Sequence, residues 1–68
     1  MTLTINGEPR TLPDVPNLAA LIESLGMKAD RVAVELNLSI VPRAQWFTTP
    51  LKDGDSLEIV HFVGGGLR

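Results

Sequence analysis

The sequence contains no cysteine and only one histidine, His61. Without cysteine there is no disulfide to staple the fold, and no thiolate to hold a metal or attack a substrate. A lone histidine with no cysteine beside it excludes the usual zinc sets, so no metal site is expected. Ser24, Ser39 and Ser56 stand in no pattern that suggests a nucleophile aligned with His61. His61 reads as a structural or surface residue of a strand. No catalytic residue is expected, and the chain does not read as an enzyme. Aromatic residues are scarce at 4%. Long apolar runs are absent: nothing approaches the roughly 18 residues of a transmembrane helix. The N-terminus also lacks the basic region and apolar stretch of a signal peptide. The six basic residues, Arg10, Lys28, Arg31, Arg43, Lys52 and Arg68, are scattered. They form no stripe of the kind that binds nucleic acid. Neither a nucleic acid nor a membrane is expected as a partner, and the cytoplasm is the expected location.

What remains is 68 residues, 44% hydrophobic, with a formal net charge of −2. That is apolar enough to fold and long enough for one small domain, which buries about 60% of its unfolded surface. Thr2-Leu3-Thr4-Ile5 alternates as a half-buried strand does. Asn6-Gly7 suits the two positive φ angles of a type I′ hairpin turn, with Glu8 to Leu12 as the return strand. Pro9 places that return strand at an edge. Pro13 and Pro16 bracket a stiff, extended connector.

Asn17 is a good helix N-cap. Leu18, Leu21, Ile22 and Leu25 then form one apolar stripe, and Gly26 suits the C′ position that ends a helix. Two to three turns cannot persist alone, so this helix must lie on a sheet. Met27 to Asp30 reads as a loop. Arg31 to Asn37 alternates again, with Val32, Val34 and Leu36 on one face. Ile40-Val41 reads as a brief edge strand. Arg43 to Phe47 suits one helical turn, with Trp46 or Phe47 plugging the end of the core and Arg43 on the surface as a partner contact. Asp53-Gly54-Asp55 is a tight turn; its carboxylates read as turn formers, not catalytic groups. Ser56 to Phe62 is the longest strand, and its apolar residues on both faces suggest a central one. Strands outnumber the single helix, so the class is α+β. One helix packed on one face of a mixed four- to five-stranded sheet, with the last strand beside the first, is the β-grasp arrangement.

The strand runs directly into Gly64-Gly65-Gly66, followed only by Leu67-Arg68. The spacing matches no phosphate-binding loop. A frayed end is the plain reading. A glycine string also has the smallest cross-section a peptide can have, so a partner enzyme can close a narrow tunnel around it. We expect residues 1–63 to form the domain and 64–68 a flexible glycine-rich tail. Phe62 and Val63 are the candidate apolar contacts at the strand's exit.

Several of these segments together resemble the ThiS family of sulfur carriers of thiamine biosynthesis, within the ubiquitin-like ThiS/MoaD group. They are Leu3 to Glu8, Leu18 to Gly26, Val32-Ala33-Val34-Glu35-Leu36-Asn37, Ile40 to Arg43 with Trp46, Leu51 to Asp55, and Glu58 to Gly66. The resemblance covers nearly the whole chain and implies a ubiquitin-like β-grasp. It implies that a ThiF-like adenylyltransferase, using ATP and magnesium, activates the Gly66 carboxylate. Sulfur from a cysteine desulfurase or related donor then yields a thiocarboxylate, and a ThiG-like thiazole synthase consumes it. Gly64 and Gly65 would lie in the partner's active site, and this chain would bind no cofactor itself. In the family the last glycine normally ends the chain, so the resemblance implies that Leu67-Arg68 must come off before Gly66 can react. Two alternatives stay open: a MoaD-like small subunit of molybdopterin synthase, and a ubiquitin-like interaction module with no sulfur-transfer role.

Overall fold

The computed structural model describes residues 1–62. Val63, Gly64, Gly65, Gly66, Leu67 and Arg68 lie outside the described residues, and with them the candidate contact at Val63, the tail and the acceptor glycine. The strands are β1 (Thr2–Ile5), β2 (Glu8–Thr11), β3 (Val32–Leu36), β4 (Ser39–Ile40) and β5 (Ser56–His61), and α1 spans Leu18–Ser24. Two 3₁₀ turns, Ala29–Arg31 and Arg43–Thr48, fill the connections. The first of them lies partly in the stretch expected to be a loop.

The strands form one five-stranded sheet in the order β2-β1-β5-β3-β4. β1 pairs with β5 in parallel, and the other pairs are antiparallel. The last strand does lie beside the first, and it is central. Pro9 falls on edge strand β2, where its missing N–H costs no ladder bond.

α1 begins and ends on local chemistry. The Oδ1 of Asn17 accepts from the N–H of Ala20 at 2.8 Å, satisfying one of the donors that a first turn leaves free. At the other end Gly26 has φ +76°. Its N–H donates to the Glu23 carbonyl at 3.0 Å, and that of Met27 to the Ile22 carbonyl at 3.2 Å. This pair of bonds is a Schellman closure. Glycine is needed there because any L side chain is strained at that φ.

One face of the sheet is covered. Leu3, Ile5, Val32, Val34, Leu57 and Ile59 meet Leu18, Leu21 and Ile22 of α1, with Trp46 and Leu51 closing the core. Fully burying each such side chain contributes about 1.5–3 kcal/mol. Trp46 is the plug: it is 2% exposed, and its Nε1–H donates to the Val41 carbonyl at 2.8 Å. Phe47, the other candidate for that role, is 75% exposed. A 3₁₀ turn carries successive side chains to different sides, so only one of the two neighbours can face inward.

Two polar links hold β5 in place. Asn6 sits in the first hairpin turn with φ +52°. Its side-chain amide accepts from the Ile59 N–H at 2.7 Å and donates to the Ile59 carbonyl at 3.1 Å. It thus continues the β1–β5 ladder after the backbone of β1 has turned away. At the start of β5, Asp55 is buried, 7% exposed. Its carboxylate accepts from Asn37 Nδ2 at 3.0 Å and from the Lys52 N–H at 2.8 Å. Asn37 also accepts from the Ser56 N–H through Oδ1 at 3.0 Å. Asp53 accepts from the Thr2 N–H through Oδ1. Both aspartates are therefore turn formers, Asp53 tying the turn to β1 and Asp55 tying it to the turn between β3 and β4.

Candidate functional site

The opposite face of the sheet is open. Register places Ile40, Glu35 and Glu58 in one row across β4, β3 and β5, and Ala33 beside Val60 in the next. Phe62 follows, its N–H donating to the Arg31 carbonyl at 2.9 Å. With only one α-helix among the described residues, and that on the other face, nothing described covers these side chains. Ile40 is 73%, Val60 59% and Phe62 56% exposed. The apolar residues on both faces of β5 did mark a central strand. Only one of those faces is buried, however, and the Val60 and Phe62 face lies open.

Phe62, a candidate contact from the sequence, sits at the exit of β5. It borders a cleft of about 420 Å³ with Val32, Ala33, Ile40, Val41 and Pro42, where Asp30 and Arg43 supply the charged groups. A second, smaller groove of about 120 Å³ lies on the open face between β4, β3 and β5, lined by Ala33, Val34, Glu35, Ile40, Glu58 and Val60. The apolar surface is therefore continuous from the middle of the sheet to the last described residue. His61 is exposed on the neighbouring side of β5. Among the described residues no three His, Cys, Asp or Glu side chains are grouped to hold a metal ion. Among the described residues this face offers an exposed apolar surface next to the point from which a glycine run continues.

The sequence pointed to the exit but not to the groove. Glu35 and Glu58 are 23 positions apart, since 58 − 35 = 23, and only the β3–β5 register brings them opposite one another. Their one local signal is polar residues within alternating apolar strands, which reads simply as a solvent face.

The chain is similar to known proteins over nearly its whole length. The sequence model of the ThiS family matches residues 3–66. A thiazole synthase of Paramagnetospirillum magneticum is 47% identical over 66 residues, which are 97% of this chain and 20% of that protein. The sulfur carrier protein ThiS of Bacillus subtilis is 35% identical over 65 residues, 94% of this chain and 98% of that one. The crystal structure of thiamine biosynthesis protein ThiS from Geobacter metallireducens superposes with a TM-score of 0.82 at 39% identity, covering 97% of this chain and all of that one. The chain spans about one fifth of the length of the two thiazole synthases it matches.

Proposed function

The chain belongs to the ThiS family of sulfur carriers in thiamine biosynthesis, and we propose that it carries sulfur as a thiocarboxylate on Gly66. In this reading residues 1–63 are the β-grasp domain and 64–68 the reactive tail. A ThiF-like adenylyltransferase, holding ATP and magnesium, joins the glycine carboxylate to AMP with loss of pyrophosphate. A carboxylate is a poor electrophile, and the adenylate supplies a leaving group. The terminal sulfur of a donor's persulfide, such as that of a cysteine desulfurase, then attacks the adenylate carbonyl and expels AMP, and a thiol cleaves the resulting acyl disulfide, leaving the thiocarboxylate and a disulfide. A thiazole synthase takes the sulfur from the thiocarboxylate. The carrier itself binds no cofactor.

One observation carries the reading. The central strand ends at His61, the exposed apolar residue Phe62 follows it, and the sequence continues as Val63-Gly64-Gly65-Gly66. Glycine lets partner backbone approach closely, so Gly64 and Gly65 suit a narrow active site. Phe62 and Val63 suit the rim around it. The partners do the positioning that makes the acyl transfers fast, so this reading asks no catalytic group of the chain itself. The thiazole synthase follows from the relatives that bear that name and contain a matching segment.

In a chain where Leu67 follows Gly66, that carboxylate is held in a peptide bond. The test therefore compares two chains, one ending at Gly66 and one at Arg68. Each is incubated with ATP, magnesium, an E1-like adenylyltransferase, a sulfur donor and a thiol reductant, then weighed by mass spectrometry. The shorter chain is expected to gain the mass difference of one sulfur for one oxygen, and the longer chain to gain nothing. If the shorter chain stays unchanged where a known carrier reacts, the sulfur-carrier chemistry is wrong for this protein. If the longer chain is adenylated as readily, the assignment to Gly66 is wrong.

A further inference from the structure

We propose that the groove on the open face lined by Glu35 and Glu58 receives a lysine or arginine of the thiazole synthase. The inference rests on the sulfur-carrier reading above and names how one partner of that reading is recognised. Glu35 and Glu58 stand directly opposite each other on β3 and β5. Like charges at such positions weaken a sheet. Nothing nearby offsets them: the only ion pair among the described residues joins the Met1 amino group to Asp14, far from this face. The two carboxylates rise from an apolar floor of Ala33, Ile40 and Val60. A lysine or arginine is the side chain that fits both parts, because its aliphatic stem lies along apolar surface while its charged head meets the carboxylates.

The partner is chosen on two grounds. The groove is continuous with Phe62, so a protein that takes the glycine run into its active site also lies against this face. A segment matching this chain also occurs within proteins named thiazole synthase, so the two functions share one polypeptide there. Contact between such neighbours needs a cohesive surface, and this face is the large apolar one left open. A carboxylate pair at its centre sets orientation as well as attraction, since an apolar or acidic partner surface is rejected there.

The experiment measures binding of the full chain to purified thiazole synthase by calorimetry at low and high salt. Wild type is compared with Glu35→Gln/Glu58→Gln, Glu35→Lys/Glu58→Lys and Val60→Asn. The glutamine pair is expected to weaken binding several-fold at low salt and to flatten its salt dependence. The lysine pair is expected to weaken it by about tenfold or more, because attraction becomes repulsion. Val60→Asn is expected to weaken binding with the salt dependence kept. Melting temperatures of the glutamine pair at or above wild type exclude misfolding as the cause. Binding by the glutamine pair within about twofold of wild type at every salt concentration overturns the inference. So does a loss of binding to the adenylyltransferase with none to thiazole synthase. If wild type forms the thiocarboxylate yet does not bind thiazole synthase, this inference fails and the sulfur-carrier reading stands. If no thiocarboxylate forms on wild type, the reading fails first and the inference falls with it.

Discussion

Leu38 is the residue whose replacement should strengthen this domain. It lies at the tip of the β3–β4 hairpin, after Asn37, and both have positive φ: +50° for Asn37 and +74° for Leu38. A two-residue hairpin with both angles positive is the type I′ turn, which suits Asn followed by Gly. Asn37 fits and Leu38 does not. An L residue other than glycine in this region costs about 1–2 kcal/mol. Leu38 is also 90% exposed, so removing its side chain forfeits no more than about 0.3 kcal/mol of burial. Glycine adds unfolded-state entropy worth about 0.4–1 kcal/mol. The balance for Leu38→Gly is a gain of about 0.5 kcal/mol, or a melting temperature about 2–4 °C higher for a domain of this size. Leu38→Asn tolerates the angle without the glycine penalty and should gain about as much or more. Leu38→Ala keeps the strain and should stay near wild type. Thermal unfolding followed by circular dichroism ranks the four proteins. A melting temperature for both the glycine and asparagine variants at or below that of wild type would refute the strain argument.

Two further substitutions test the links that hold β5. Asn6→Ala removes both side-chain bonds to Ile59 and leaves that residue's N–H and carbonyl without their partners. Each unsatisfied group costs about 1–3 kcal/mol, so urea unfolding should show a loss of at least about 2 kcal/mol. A loss under about 0.5 kcal/mol would mean that water replaces the amide at no cost. Asp55→Ala removes the acceptor for Asn37 Nδ2 and the Lys52 N–H in a buried site. The expected loss is again about 2–3 kcal/mol, and amide exchange should speed up at Lys52 and Ser56. Unchanged protection at both amides would contradict the assigned network.

The fold was legible because its signals are local. Alternation marked β1, β3 and β5, an asparagine–glycine pair marked the first turn, and Asn17 with Gly26 bounded the helix as the hydrogen bonds confirm. Local rules stopped where the outcome depends on tertiary contact. Trp46 and Phe47 are adjacent and both apolar, and only the packing of their 3₁₀ turn against α1 decided that Trp46 goes in. The side chain of Asn6 was read for its φ and not for its amide, whose partner Ile59 lies on a distant strand. The open face was the hardest to see. Val60 looks like a core residue in sequence, and only the single α-helix on the other face shows that nothing among the described residues covers it. The row Ile40, Glu35, Glu58 exists only through register, which no segment of the sequence states by itself.

That open face also answers a difficulty raised by the glycines. A run such as Gly64-Gly65-Gly66 brings no side chain to bury, and glycine loses more backbone entropy than any other residue when it is fixed. Ordering each residue costs about 1–2 kcal/mol, so three glycines held extended oppose binding by about 3–6 kcal/mol before any bond forms. Backbone hydrogen bonds at about 1 kcal/mol net apiece offset this only in part. The affinity for a partner must therefore come from the folded domain, and the exposed Ile40, Val60 and Phe62 are where apolar area is available. β5 makes such a division of labour workable. It is paired on both sides, by β1 and β3, and the amide of Phe62 is still bonded to Arg31. Pulling it out would part the sheet, so it yields only with the whole domain. A partner gripping the face therefore meets a fixed exit for the glycines, and a substitution on the face should weaken binding without altering the chemistry proposed at Gly66. Measured as a raised KM with unchanged kcat for sulfur transfer, that separation is the expected signature of Val60→Asn. A fall in kcat at saturating carrier would show that the face also aligns the reacting end.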